Sequence, residues 1–195
     1  MATKPYSPVD PALYPAGAPT APAGSALSWS AVFAGTVAAI ALTLTLLTLG
    51  SAFGLASVSP WPGVGAKPTT FTIGAGIWLI VTQWLSAAIG GYLAGRLRIR
   101  WHELHGDEVF FRDTAHGLLT WATATVIMAI VAVGAFALSS IGVAPHDAVV
   151  TKEAADAARK VAAAFATFTG LSLVIGAFIG SVSAVVGGRL RDMHP

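Results

Sequence analysis

The sequence predicts an all-α membrane protein, a bundle of four transmembrane helices built from two tandem helical hairpins. Three observations lead there. Charge is scarce: eleven basic and nine acidic side chains make up 10% of 195 residues, where a soluble domain carries about 25%. Hydrophobic residues reach 55% and the mean hydropathy is +0.72. The charges are also grouped, leaving uncharged stretches long enough to cross a ~30 Å hydrocarbon core, which takes about 20 apolar residues as helix. This composition excludes a disordered chain, and the absence of cysteine excludes a disulfide scaffold or a thiolate metal protein.

Residues 1–28 hold six of the eleven prolines, with many Ala, Gly and Ser residues. That composition favours extended, polyproline-like chain and cannot bury a core. Tyr6 and Tyr14 are its candidate anchors. The first span follows at about 30–56. Its apolar run is roughly twice the length of a signal-peptide core, so it reads as a retained helix. The 57–72 connection, with Pro60, Pro62, Gly63 and Gly65, is turn-rich, and Trp61 suits the membrane interface. It carries the one charge between Trp29 and Gly95, Lys67.

The second span covers about 73–95, the third 114–141 and the fourth 161–188. Helix is required because lipid offers backbone groups no water to bond. Glu153, Asp156, Arg159 and Lys160 give 147–160 helical spacing, with Asp156 and Lys160 at i,i+4, so the fourth helix is expected to begin in water. Four spans place both termini on one side. Seven Lys and Arg residues on that side against four on the other favour cytoplasmic termini. Arg96, Arg98, Arg100, Arg189 and Arg191 lie at helix ends and are expected to anchor lipid phosphates. Nucleic-acid binding is poorly supported, because these arginines sit at helix ends.

The halves echo one another. Span two closes on Gly95-Arg96-Leu97-Arg98 and span four on Gly188-Arg189-Leu190-Arg191, while Ala34-Gly35 and His116-Gly117 open spans one and three. This is a parallel repeat. Helices in lipid associate through close backbone contact at small residues. Such residues form rows: Gly35, Gly50 and Gly54 in span one; Ser86, Gly90, Gly91 and Gly95 in span two; Ser172, Gly176, Gly180, Ala184 and Gly188 in span four. Packing within one bundle and packing between subunits both use such rows.

Chemistry-bearing residues are few. Gln83 is the one large polar side chain near mid-membrane, a helix bridge or a pore-lining group. No Asp, Glu, Lys or Arg lies inside a span, against the intramembrane charge of relays, voltage sensors and ion-coupled transporters. His102, His105 and His116 with nearby carboxylates are ligand types, but their spacing matches no metal site. No order of Ser, His and Asp supports nucleophilic catalysis. The sequence thus implies no enzyme, cofactor or metal. Arg112-Asp113-x-x-His116-Gly117, followed by Trp121, reads as capping and docking: Asp113 suits a helix N-terminus, and His116 is placed to bond Asp113 or a neighbouring helix end.

Ser28-Trp29-Ser30-Ala31-Val32-Phe33-Ala34-Gly35, Gly74-Ala75-Gly76-Ile77-Trp78, Gly90-Gly91-Tyr92-Leu93-Ala94-Gly95-Arg96-Leu97 and Arg112-Asp113-Thr114-Ala115-His116-Gly117-Leu118-Leu119-Thr120-Trp121 together resemble a family of small, uncharacterised multi-span bacterial inner-membrane proteins of alphaproteobacterial type. The resemblance covers about 28–140 and the closing Gly-Gly-Arg. It implies a multi-pass inner-membrane protein with no catalytic residues to carry over. The 99–111 insertion and the proline-rich tail look longer than that family's pattern. The expected function is a non-enzymatic structural or accessory protein that self-associates, or docks on a larger membrane complex, through its small-residue faces. The alternative is a pore or facilitator for a small neutral solute or ion.

Overall fold

A computed structural model describes residues 27–59, 61, 63–99, 105–140 and 151–193. Four helices account for nearly all of them: α1 Trp29–Ser57, α2 Pro68–Leu97, α3 Gly106–Ser140 and α4 Lys152–Met193. All four are long and apolar enough to cross a membrane, and the architecture is the all-α four-helix bundle that the charge map predicts. The proline-rich tail, with Tyr6 and Tyr14, lies outside the described residues, as do Arg100, His102 and Glu103.

Local chemistry sets the helix ends. α1 stops where Val58 turns extended, and Val58 pairs with Gly65 in an isolated bridge. Gly63 and Gly65 adopt φ of +78° and +94°, a region that side chains resist, so this turn needs both glycines. α2 opens on Pro68 at its first position, where the missing N–H costs nothing. Asp107 and Glu108 occupy the first turn of α3 and favour its positive end. The Thr151 hydroxyl accepts the Ala154 N–H at 3.2 Å and caps α4, a role the sequence reading did not assign.

α3 begins at Gly106, well before the expected boundary at 114, so part of the presumed polar loop is helix. Asp113 therefore stands in the second turn and does not cap. α4 starts at Lys152 and runs 42 residues, about 63 Å at 1.5 Å per residue, which agrees with a helix that begins beyond the hydrocarbon core.

Helices α2 and α4 run parallel and share the most extensive interface. α2 and α3 each touch every other helix, whereas α1 and α4 share no direct backbone contact. The bundle is asymmetric along its length. One end, formed by the starts of α1 and α3 and the ends of α2 and α4, is closed. There the buried residues are Ala31 to Ala39 of α1, Ser86 to Gly95 of α2 and Gly176 to Gly188 of α4. At the opposite, open end α3 stands away: from Val126 to Ser139 every residue except Met128 is exposed.

Candidate functional site

The closed end is built from glycine contacts. A Cβ placed on Gly35 would strike the carbonyl oxygen of Gly90, and lies 3.2 Å from Ala94 Cβ. In the second hairpin a Cβ on Gly117 would strike the Gly180 carbonyl and sit 2.7 Å from Ala184 Cβ. Each hairpin thus sets the glycine near the start of its first helix against a Gly-x-x-x-Ala step near the end of its second, which is the repeat expressed in three dimensions. Between hairpins, Gly91 meets the Gly180 backbone, Gly95 meets Ala184, and Gly187 meets Tyr92.

The remaining small residues are also used within the chain. Gly50 makes room for the Trp78 indole, a Cβ on Gly54 would stand 3.3 Å from the Phe71 ring, and Gly188 faces the Asp113 carboxylate and Arg98. Ser86 and Ser172 are buried. The rows expected to mediate self-association therefore have their neighbours inside one subunit. The physical reason is that glycine rows permit backbone contact at the first partner available, and the connected helices are always nearest.

Against this clamp lies a buried ion cluster. Arg98, just past α2, pairs with Asp113 of α3 in a bidentate contact along one guanidinium edge, Nε to Oδ1 and Nη2 to Oδ2. Its Nη2 also donates to Asp192 of α4 at 2.9 Å. The Arg98 side chain is wholly buried, and that of Asp113 almost so. Burial works against the guanidinium charge. Hydrogen bonds and charge from Asp113, then Asp192, outweigh it and hold Arg98 above its ordinary pKa. Leaving one member of a buried pair alone costs about 3–5 kcal/mol, so this cluster locks the ends of α2, α3 and α4 in register.

This corrects the lipid-anchoring reading for Arg98: a fully buried guanidinium held by two carboxylates does not meet lipid phosphates. Arg189 lies over the Phe110 ring at 5.8 Å, Arg191 approaches Asp192 at 3.4 Å, and Arg112 pairs with Glu108 at 2.6 Å one turn back. Arg96 carries a buried Nη1 with no partner among the described residues.

His116 adds a second tie. Its Nδ1 lies 2.7 Å from the Arg112 carbonyl, and its Nε2 accepts the Ser28 N–H at 2.8 Å. A carbonyl only accepts and an N–H only donates, so Nδ1 carries the proton and the ring is neutral. Of the two partners foreseen for His116, a neighbouring helix end is the one found: Ser28 is where α1 begins. Thr36 reinforces this α1–α3 contact by donating to the Thr120 carbonyl at 3.3 Å. Asp192 and Ser28 were missed as partners because nothing local in the sequence links them to Arg98 or His116.

Further along the bundle, the point where a Cβ on Gly176 would stand is 2.5 Å from Gln83 Nε2 and 2.8 Å from Trp121 Nε1. Gln83 and Trp121 therefore meet over α4. Trp121 Nε1, Thr82 Oγ1, Ser86 Oγ and Thr120 Oγ1 are buried without a hydrogen-bond partner among the described residues. Among the described residues no three His, Asp or Glu side chains gather as metal ligands; His116 is turned inward and His105 opens α3 three turns away. No family model, curated protein or solved structure matches the chain.

Proposed function

We propose that this multi-pass membrane protein is a non-catalytic accessory or scaffold subunit, with a rigid closed end and an open end that docks on another copy or on a larger membrane complex. The observation that carries the reading is the bare stretch of α3 from Val126 to Ser139. The closed end invests its glycines and its buried charges in holding four helices together, which suits a fixed frame. The small-residue rows have their partners inside the chain, so docking falls to α3. A bacterial inner membrane and cytoplasmic termini remain part of the proposal, resting on the arginine distribution and the family resemblance.

The chain has no cysteine, so a single Val133→Cys variant reports on α3 alone. Cross-linking in native membranes is expected to give a species heavier than the 19.8 kDa chain, and mild-detergent extraction a complex of matching mass. A lone monomer in both experiments overturns the reading. A solute path inside one chain fits less well: Gly35 packs against Gly90, Gly91 and Gly117 both pack against the Gly180 backbone, and Gln83 is packed over Gly176.

A further inference from the structure

The open end holds a second feature, separate from the bare face of α3. A cleft of about 660 Å3 lies between the end of α1 and the start of α2, with Phe165 of α4 at its back. Its walls run from Leu47 on α1 to Val58 just past it, and from Ala66 just before α2 to Leu79 on it. They are almost entirely apolar. Three of the polar groups in the wall are already engaged: the Ser51 and Ser57 hydroxyls donate to the carbonyls of Leu47 and Gly54 at 2.8 and 2.7 Å, and the Trp78 indole N–H donates to Leu46 O at 2.9 Å.

Two dimensions narrow the occupant. The α1 wall from Leu47 to Ser57 is about 15 Å of helix, half of a ~30 Å hydrocarbon core. The cleft therefore reaches from the α1–α2 turn to the bilayer midplane, the depth of one leaflet. At the turn, the sequence places one charge between Trp29 and Gly95, the exposed Lys67 next to the lining residue Ala66. Neither α1, α2 nor their connection carries a carboxylate, so Lys67 is the one charge that these two helices and their turn bring to this end.

We propose that this cleft is a binding site for one anionic phospholipid, its acyl chain lying between α1 and α2 and its headgroup phosphate at Lys67. Charge complementarity at the mouth, a dry wall and a depth of one leaflet all fit that ligand. The wall is fixed by its own contacts: Phe53 meets Trp78 edge to face at 6.1 Å, and Gly50 and Gly54 admit Trp78 and Phe71. Gly74 lines the cleft, and a Cβ there meets nothing within 4 Å. A side chain added at 74 therefore starts in open space at the cleft wall.

The test uses the full chain in vesicles of equimolar phosphatidylglycerol and phosphatidylcholine, re-extracted in mild detergent, with retained lipid weighed by native mass spectrometry. One phosphatidylglycerol per chain is expected, favoured over phosphatidylcholine about fivefold, as one Lys near an anionic surface gives. Lys67→Gln is expected to keep a lipid but bring that ratio near one, and Gly74→Leu to lose the lipid while keeping native helix content. Three results overturn the proposal: no lipid or no headgroup preference in the unaltered chain; retention by Gly74→Leu equal to the unaltered chain, which places the lipid on the arginines of the closed end; or a dimer that Gly74→Leu dissolves, which makes a second copy the occupant.

Discussion

Arg98 ties the ends of three helices, sitting just past α2 and bonding Asp113 of α3 and Asp192 of α4. It is fully buried, it binds two carboxylates from two helices, and its bidentate geometry with Asp113 leaves no freedom for lysine to substitute. Its two partners differ in setting. Asp113 is buried, whereas the Asp192 side chain is 36% exposed. Asp113→Asn is therefore expected to cost about 3–5 kcal/mol, and Asp192→Asn less than about 1 kcal/mol, as read from thermal unfolding in detergent. Equal losses would show that the cluster is not organised around the Arg98–Asp113 pair. The sequence displayed both charges but not their pairing, because fifteen residues and a helix start separate them, and Asp113 has an equally good local reading as a cap.

At the scale of the helix, α2 and α3 show opposite uses of glycine. Gly91 of α2 is in backbone contact with Gly180, so Gly91→Ala overpacks the interface and is expected to cost about 1–3 kcal/mol. Gly134 of α3 faces open space, so Gly134→Ala only improves helix propensity and is expected to gain about 0.5–1 kcal/mol. Paired melting curves in one detergent check both signs; a loss at Gly134 would reveal a neighbour on α3 even in the isolated chain. The small-residue rows were legible in the sequence. Which helix each row meets was not, because a four-residue spacing specifies a flat face and leaves the partner open.

For the whole molecule, the interfaces of α4 with α2 and α3 are carried by contacts far from the 141–150 connection. A chain cut there, co-expressed as 1–145 and 146–195, is expected to copurify from the membrane, and Gly91→Leu in the first fragment to abolish the association. Two fragments that reach the membrane yet never copurify would mean that the connection itself holds α4 in place. The asymmetry of the bundle appears only at this scale. The closed end is tied by glycine contacts, an ion cluster and the Ser28–His116 bond, while the open end leaves α3 bare and a cleft between α1 and α2.

The sequence by itself determined the fold class, the number and order of the spans and the tandem repeat. Those depend on where charge is missing and on spacing along a helix, both properties of the linear chain. It also marked Asp113, His116 and Gln83 as unusual, while Arg98 read as one of five arginines at the lipid surface. Only the tertiary structure decided that the glycine rows close on each other inside one chain, that Arg98 points inward to Asp113 and Asp192, and that α3 parts from its neighbours beyond Val126. Those outcomes depend on which helix faces meet, and in an apolar solvent burial of hydrophobic side chains sets no inside or outside from which to read the answer.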